Sequence, residues 1–178
     1  MQTTVRVQMK KAGNWWPGAG LALLGVAALT GVAQARPPRD WVNLGGGYSP
    51  APAVRAAQYL LRERGYAVAA DGSYGGQTRE QVRRFQAAVG LGISGLVGNE
   101  TWERLIIPVR RGSRGNAVRA VQSLLRAYPN RRYGVALDGV FSAQTERAVR
   151  LFQRNSDLPI DGLVGPLTWC QLVSDVSG

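Results

Sequence analysis

Arginine and glutamine recur at fixed spacings in two parts of the chain. In each part an arginine stands three residues before a glutamine, so both side chains would lie on one stripe of a helix. Arginine can hold a carboxylate through two parallel hydrogen bonds and glutamine can bond an amide, so such stripes could bind a peptide that carries carboxylates. The candidate ligand-binding residues are Arg55, Gln58, Arg62, Arg83, Gln86, Arg119, Gln122, Arg126, Arg150 and Gln153. The alternative interpretation is a solvated cationic face.

The residue types exclude several kinds of catalysis. The chain has no histidine and one cysteine, so a Ser-His-Asp or Cys-His arrangement and a histidine-liganded zinc are excluded. Glu100 and Glu103 form the best carboxylate pair for a glycosidase, but Leu167 and Cys170 occupy the matching positions later in the chain. Acidic residues in the first turn of a helix are also explained by the helix dipole. We therefore expect no catalytic residue, no metal ion and no cofactor.

The first 35 residues have the layout of an export signal. Arg6, Lys10 and Lys11 precede an apolar run over 18–32, and an A-x-A sequence follows at 33–35. We expect residues 1–35 to be a removable signal peptide, with an uncleaved membrane anchor as the alternative. The predicted location is the periplasm, the cell wall or the extracellular space.

The chain is strongly basic, with a net charge of +11. Without residues 1–35 it keeps 19 arginines, no lysine and 11 acidic residues, a net charge of +8. Such an exported cation should meet anionic partners, for example the carboxylates or phosphates of a wall polymer. A nucleic-acid partner is not expected, because it conflicts with export and no nucleic-acid-binding motif is found.

The remaining chain is a tandem duplication. The segments 53–62, 71–86 and 91–105 match 117–126, 138–153 and 158–172, and more than half of the aligned positions are identical. The offset is 64 residues in the first block and 67 afterwards.

Each copy has the apolar periodicity of three short helices. Trp102 and Trp169 fall on the apolar faces, Asn99 is the expected N-cap of the third helix, and Asp-Gly or Ser-Gly pairs mark the turns. The predicted fold class is all-α, with two tandem three-helix modules. The predicted divisions are a signal peptide (1–35), a flexible lead (36–52), module 1 (53–107), a linker (108–116) and module 2 (117–176). Modules this small bury little surface alone, so a shared interface is conceivable.

Several short motifs follow one another in the second copy. The sequence G-x-x-G-x-x-V-x-x-V-Q-x-L-L at 112–125 precedes D-G-x-F-x-x-x-T at 138–145, A-V-x-x-F-Q at 148–153, D-G-x-V-G at 161–165 and T-W at 168–169. The first copy repeats this order from Asp71 onward but has Ser-Pro-Ala-Pro at 49–52 in place of the opening glycines. This order of motifs, found twice, resembles the peptidoglycan-binding-like domain, a three-helix module of bacterial wall hydrolases.

The resemblance implies that the chain binds peptidoglycan or another anionic wall polymer. Signal, lead and modules leave no room for a catalytic domain in this sequence, so we expect a secreted, non-catalytic peptidoglycan-binding protein. The alternatives are an adaptor or regulator that tethers a separate wall hydrolase and, less favoured, a small carboxylate-type lytic enzyme.

Cys170 is the one cysteine in the chain. It aligns with Glu103 and follows the inward-facing Trp169. The favoured prediction is an inert, partly buried thiol. The alternative is a surface position, from which Cys170 forms a disulfide between two chains.

Overall fold

The computed structural model describes residues 41–128 and 133–176. The helices of this part of the chain are α1 (Ala51–Glu63), α2 (Gly76–Ala88), α3 (Asn99–Leu105), α4 (Asn116–Ala127), α5 (Ala143–Asn155) and α6 (Pro166–Asp175). Only isolated antiparallel bridges supplement them within the described residues. The prediction of an all-α fold with two three-helix modules is confirmed. No helix in the described ranges has the length and apolar character to span a bilayer. The predicted signal peptide, 1–35, lies outside these ranges.

Helices α1 and α4 pack against each other and join the two modules. Both are rich in alanine, leucine and valine, and most of these side chains are fully buried. Alanines allow two helices to approach closely, while leucines fill the space beside them. Helix α1 also contacts α6 of the second module, so the apolar residues of both modules form one core.

Glu63, at the end of α1, caps the start of α4. Its carboxylate accepts hydrogen bonds from the backbone N–H groups of Asn116 and Ala117. A negative charge is favourable there because the first N–H groups of a helix have no partner within the helix. The N-cap residue Gly115 has a φ of 113°, and a Cβ at this position would lie 2.8 Å from the Glu63 carboxylate oxygens. The second module therefore begins on a side chain of the first.

The part of the predicted flexible lead that the structure describes is built into module 1. Trp41 stacks on Trp102, with ring centroids 5.5 Å apart and planes 15° apart, and Trp102 Nε1 donates to the carbonyl of Val42 over 2.8 Å. Leu44 is fully buried and pairs with Val97. Residues 41–44 of the predicted lead are therefore attached to module 1, because these apolar side chains complete its core despite the surrounding glycines and prolines.

Asn99 holds this segment instead of capping α3. Its Oδ1 accepts a hydrogen bond from the backbone N–H of Trp41 over 3.2 Å, and Gly98 is the N-cap residue. Asn99 is thus the first residue of α3 and not the N-cap residue before it, and its side chain is turned to the preceding segment.

The predicted linker, 108–116, is likewise part of module 2. Val109 pairs with Val164, and Arg114 pairs with Val140. Trp169 Nε1 donates to the carbonyl of Ile107 over 2.9 Å, as Trp102 does to the segment before α1. Each module therefore includes the extended segment before its first helix, and no unattached linker separates the two.

Cys170 is buried, with 2% of its surface exposed. Helix α6 packs against α1 and α4, so the face that carries Cys170 is covered, whereas Glu103 on α3 is exposed. The burial agrees with the favoured prediction of a buried thiol, and the accessible thiol that the alternative disulfide dimer requires is not present in this fold.

Candidate functional site

A buried glutamine anchors the turn that follows each of α1, α2, α4 and α5. In the first turn, Gln58 Nε2 donates to Asp71 Oδ1 over 2.9 Å, to the Ser73 carbonyl over 3.0 Å and to Thr78 Oγ1 over 3.0 Å. Its Oε1 accepts from the backbone N–H of Gly72 over 2.8 Å. The corresponding glutamines make the same set of bonds in their own turns: Gln86, Gln122 and Gln153.

These four glutamine side chains have at most 1% of their surface exposed. Both ends of each amide are occupied by partners within the protein, which is what burial of an amide requires. The structure therefore places the four predicted glutamines where they shape turns and cannot offer their amides to a ligand.

An arginine one helical turn before each glutamine lies over the same turn. Arg55 Nη2 donates to the carbonyl of Asp71 over 3.0 Å, and Arg119 Nη2 donates to that of Asp138 over 3.2 Å. Arg83 crosses the positive-φ residue Gly95, where a Cβ would lie 2.9 Å from Arg83 Nε. These arginines are half-buried or exposed, so their guanidinium groups can take further partners.

The remaining predicted arginines lie nearer to solvent. Arg150 is exposed and donates from Nη1 to the Ile160 carbonyl over 2.9 Å. Arg126 is exposed and donates from Nη1 to the Val135 carbonyl over 2.9 Å, while Arg62 is exposed at the equivalent position of α1. Ligand binding stays a prediction for all six arginines.

The four turns are copies of one smaller unit. Each R-x-x-Q sequence is followed by an Asp-Gly or Ser-Gly pair, and a threonine stands seven residues after that Asp or Ser. The repeat of the whole module is plain in the sequence, whereas the repeat of this smaller unit within a module is not, because the distance from glutamine to threonine varies. The sequence signal for the smaller unit is the constant spacing of seven residues from the Asp or Ser to the threonine.

The turns after α1 and α4 each hold an ionised carboxylate. The backbone N–H of Ser73, followed by the amide of Gln58, holds the pKa of Asp71 below its ordinary value. The backbone N–H of Val140 and the amide of Gln122 lower the pKa of Asp138 in the same way. Hydrogen bonds to the charged form of a carboxyl group favour that form.

A groove of about 500 Å³ lies beside the turn between α2 and α3. Its apolar lining comes from Trp41, Leu44, Leu91 and Leu96, and its polar lining includes Asn43, Ser94, Asn99 and Glu100. Concave surfaces with an apolar lining and a few polar groups are the usual form of a binding site.

The same turn exposes apolar side chains next to an arginine in both modules. Ile93 and Leu96 are 61% and 37% exposed in module 1, near Arg83, and the equivalent Ile160 and Leu163 are 45% and 37% exposed in module 2, near Arg150. The repeated combination of apolar and cationic groups suits a ligand with small apolar groups and negative charges.

The carboxylates considered for catalysis do not recur in the second module. Glu100 and Glu103 are exposed on α3, and Leu167 and Cys170 take their places on α6. Among the described residues, no group of three His, Cys, Asp or Glu side chains is placed to hold a metal ion.

Both modules match one known protein family. A family model described as "Putative peptidoglycan binding domain" matches residues 50–105 and 114–172. The zinc D-Ala-D-Ala carboxypeptidase of Streptomyces albus G is 35% identical over 83 residues, which are 47% of this chain and 31% of that enzyme. A protein of Kitasatospora aureofaciens, called an uncharacterized protein in the bpoA1 3' region, is 46% identical over 59 residues, 33% of this chain and 48% of that protein.

A crystal structure of a peptidoglycan-binding protein from Clostridioides difficile, in complex with glutamine hydroxamate, is 34% identical. The match covers 40% of this chain and 43% of that one, with a TM-score of 0.38. The present chain thus spans less than half the length of these relatives. Since the family model matches more than half of the chain, the protein belongs to the peptidoglycan-binding domain family and contains two tandem copies of that domain.

Proposed function

We propose that this protein is a non-catalytic, exported peptidoglycan-binding protein. The observation that carries the proposal is the match of both modules to the peptidoglycan-binding domain family. The basic and apolar layout of residues 1–35, with its A-x-A sequence, supports export.

The turn after the second helix of each module is the proposed contact surface. Stem peptides of peptidoglycan combine alanine methyl groups with carboxylates. Ile93 and Leu96 would cover the methyl groups while Arg83 pairs with a carboxylate, and Arg150 would act in the same way in module 2. The groove lined by Trp41 and Leu44 extends this surface in module 1.

The distribution of carboxylates supports a role without catalysis. Glycoside hydrolysis in most families needs two carboxyl groups on either side of the scissile bond. Glu100 lines the groove, but Glu103 is not among its lining residues, and module 2 has neither acid.

Co-sedimentation with purified sacculi tests the proposal. The wild-type protein should pellet with sacculi and release no soluble muropeptides. The double variant R83Q/R150Q should bind about tenfold more weakly, because each substitution removes a charge-assisted hydrogen bond. The control R84Q removes an exposed arginine that pairs only with Glu80, over 3.0 Å, and should bind like wild type. Failure of the wild-type protein to pellet, or release of muropeptides, contradicts the proposal.

A role in tethering a separate wall hydrolase is the second candidate. A relative that is named as a carboxypeptidase contains a segment similar to this one, so the segment occurs together with an enzyme in that protein. Co-purification of a hydrolase, combined with no sedimentation of the protein alone, would favour this role.

A further inference from the structure

The two modules differ in the segment that precedes their first helix. The pairs Leu44–Val97 and Val109–Val164 occupy equivalent places, because Val97 and Val164 are equivalent in the repeat. After this point module 1 continues with Gly-Gly-Gly-Tyr at 45–48, while module 2 continues with Arg-Arg-Gly at 110–112. We call residues 109–114 the strap.

The strap is fixed at both ends. Val109 pairs with Val164, and Arg114 pairs with Val140. In the middle, the N–H of Gly112 donates to the Phe141 carbonyl over 3.0 Å, and the N–H of Phe141 donates to the Ser113 carbonyl over 2.9 Å. A backbone that is already ordered loses little entropy when a ligand binds to its side chains.

Among the described residues of module 1, no bridge corresponds to the pairing of Arg114 with Val140. Pro50 stands where module 2 has Arg114. The glycine segment carries no charge, and its exposed aromatic residue, Tyr48, has 85% of its surface accessible.

Arg111 of the strap and Arg150 of α5 lie beside the same carboxylate, that of Glu146. Arg111 Nη1 lies 3.6 Å from Glu146 Oε2, and Arg150 Nη2 lies 3.3 Å from Glu146 Oε1. The Arg111 side chain is 68% exposed, and Arg110 is also exposed. Two arginines thus face one acid, and Arg110 adds an exposed positive charge to the strap, so the positive charge is only partly neutralised. In module 1 the place of Glu146 is taken by Arg79, which donates to the Gly45 carbonyl over 2.8 Å.

We infer that Arg110 and Arg111 of the strap, together with Arg150, form a carboxylate-binding site for stem peptides, and module 1 has no counterpart of the two strap arginines. The inference rests on the proposed function. It means that the two modules contact a stem peptide with different groups, because the strap arginines belong to module 2 alone. A carboxylate is the favoured ligand because Arg111 and Arg150 already face one in Glu146, and a ligand carboxylate can share or replace it. The competing class is a phosphate-bearing wall polymer.

The test compares variants of the full protein on chemically treated sacculi. One batch of sacculi is stripped of phosphate polymers with hydrofluoric acid, and a second stripped batch has its carboxylates amidated with carbodiimide and ammonia. Wild-type binding should survive stripping and fall about tenfold on amidation, the loss expected for one charge-assisted interaction. The R110Q/R111Q variant should bind stripped sacculi about tenfold more weakly and lose less on amidation than wild type does, because only the carboxylate contacts proposed for Arg83 and Arg150 remain.

Two further variants make the test specific. R84Q/R104Q removes two exposed arginines from module 1 and should keep wild-type binding. E146Q should bind more tightly than wild type, because it removes the carboxylate that competes with the ligand for Arg111 and Arg150.

The outcomes separate this inference from the proposed function. If wild type sediments and R110Q/R111Q binds equally well, or R84Q/R104Q loses as much, the inference fails and the proposed function stands. Loss of wild-type binding when phosphate polymers are removed points to the competing ligand and overturns the inference. If wild type does not sediment with any sacculi, both fail.

Discussion

At the scale of single residues, the repeated glutamine is the main structural device of this protein. A neutral amide supplies both a hydrogen-bond donor and an acceptor on one side chain, and each turn needs both. The glutamine oxygen accepts the glycine N–H, and the glutamine NH₂ donates to a carboxylate or hydroxyl oxygen. A glutamate would lose the donor, and a leucine would leave the glycine N–H without its acceptor. The adjacent arginines cover the turns and remain partly accessible. The glutamines therefore shape the turns, and the arginines are the candidates for ligand binding.

The first prediction concerns Gln122. The Q122A substitution leaves the buried N–H of Gly139 without its acceptor and removes one of the donors to the carbonyl of Val140. We expect it to lower the free energy of unfolding by about 3 kcal/mol, measured by urea denaturation. Q77A replaces an exposed glutamine on α2 and should change this free energy by less than about 0.5 kcal/mol. Equal effects of the two substitutions would show that the amide network does not stabilise the fold.

The second prediction concerns Asp71 and Asp138. Both carboxyl groups have a pKa below the ordinary value of 3.8, so their ionised forms stabilise the folded state above that value. This stabilisation should disappear as the pH falls through the lower pKa values of the folded protein. In the D71N/D138N variant an amide oxygen can accept the same hydrogen bonds without titrating.

We therefore expect D71N/D138N to lose less stability than wild type between about pH 5 and pH 2. Urea midpoints at both ends of this range measure the difference. The control E100Q/E103Q removes two exposed carboxylates of α3 and should follow the wild-type pH dependence. A D71N/D138N variant as acid-sensitive as wild type would contradict the assignment.

At the scale of elements, the short segments before α1 and α4 matter as much as the helices. Each places an apolar side chain in the core, Leu44 or Val109, and each receives a hydrogen bond from the indole of the third helix. A three-helix module of this size has little core of its own, and these segments enlarge it.

Helix positions could be predicted from the sequence because apolar residues recur with helical spacing in both copies. The roles of Trp41 and Leu44 could not, since they lie among glycines and prolines, outside any periodic run. The spacing of Arg55 and Gln58 along α1 is the spacing that two residues of a solvent-exposed stripe would have. The turn after α1 decides between them: it buries the amide of Gln58 and leaves the guanidinium of Arg55 accessible. The candidate ligand surface was therefore predicted in its arginines but not in its exposed isoleucines and leucines.

The third prediction tests the segment before α1. W41A removes the ring that stacks on Trp102 and should lower the free energy of unfolding by about 3 kcal/mol. Y48A removes an exposed aromatic ring from the same segment and should change it by less than about 0.5 kcal/mol. Denaturant unfolding followed by circular dichroism measures both, and a W41A variant as stable as Y48A would mean that the segment does not contribute to the core.

At the scale of the whole molecule, the two modules form one compact unit. The α1–α4 contact buries apolar faces from both modules, and Glu63 adds a polar link across the same boundary. A module separated from its partner would expose one of these faces to water, which is unfavourable. The modules should therefore fold and unfold together.

The fourth prediction follows from this coupling. F152A removes a fully buried ring from module 2 and should lower the free energy of unfolding by about 4 kcal/mol. Hydrogen exchange measured by mass spectrometry should show faster exchange in α2 of module 1 as well as in α5. The reciprocal variant, F85A in module 1, should raise exchange in α5. Unchanged exchange in the unsubstituted module, in either variant, would show that the modules unfold independently.

The attachment of the strap also bears on how long such a protein can survive among proteases. Proteases commonly cleave the segments between repeated domains. A protease binds its substrate as an extended backbone without internal hydrogen bonds, and an exposed linker adopts that form easily. Arg110, Arg111 and Arg114 are the residue type that trypsin-like enzymes cleave after, yet the backbone around them is hydrogen-bonded to Val164, Phe141 and Gly139. Cleavage there would require module 2 to open first, so the most arginine-rich join of this chain is protected by the same contacts that present its side chains.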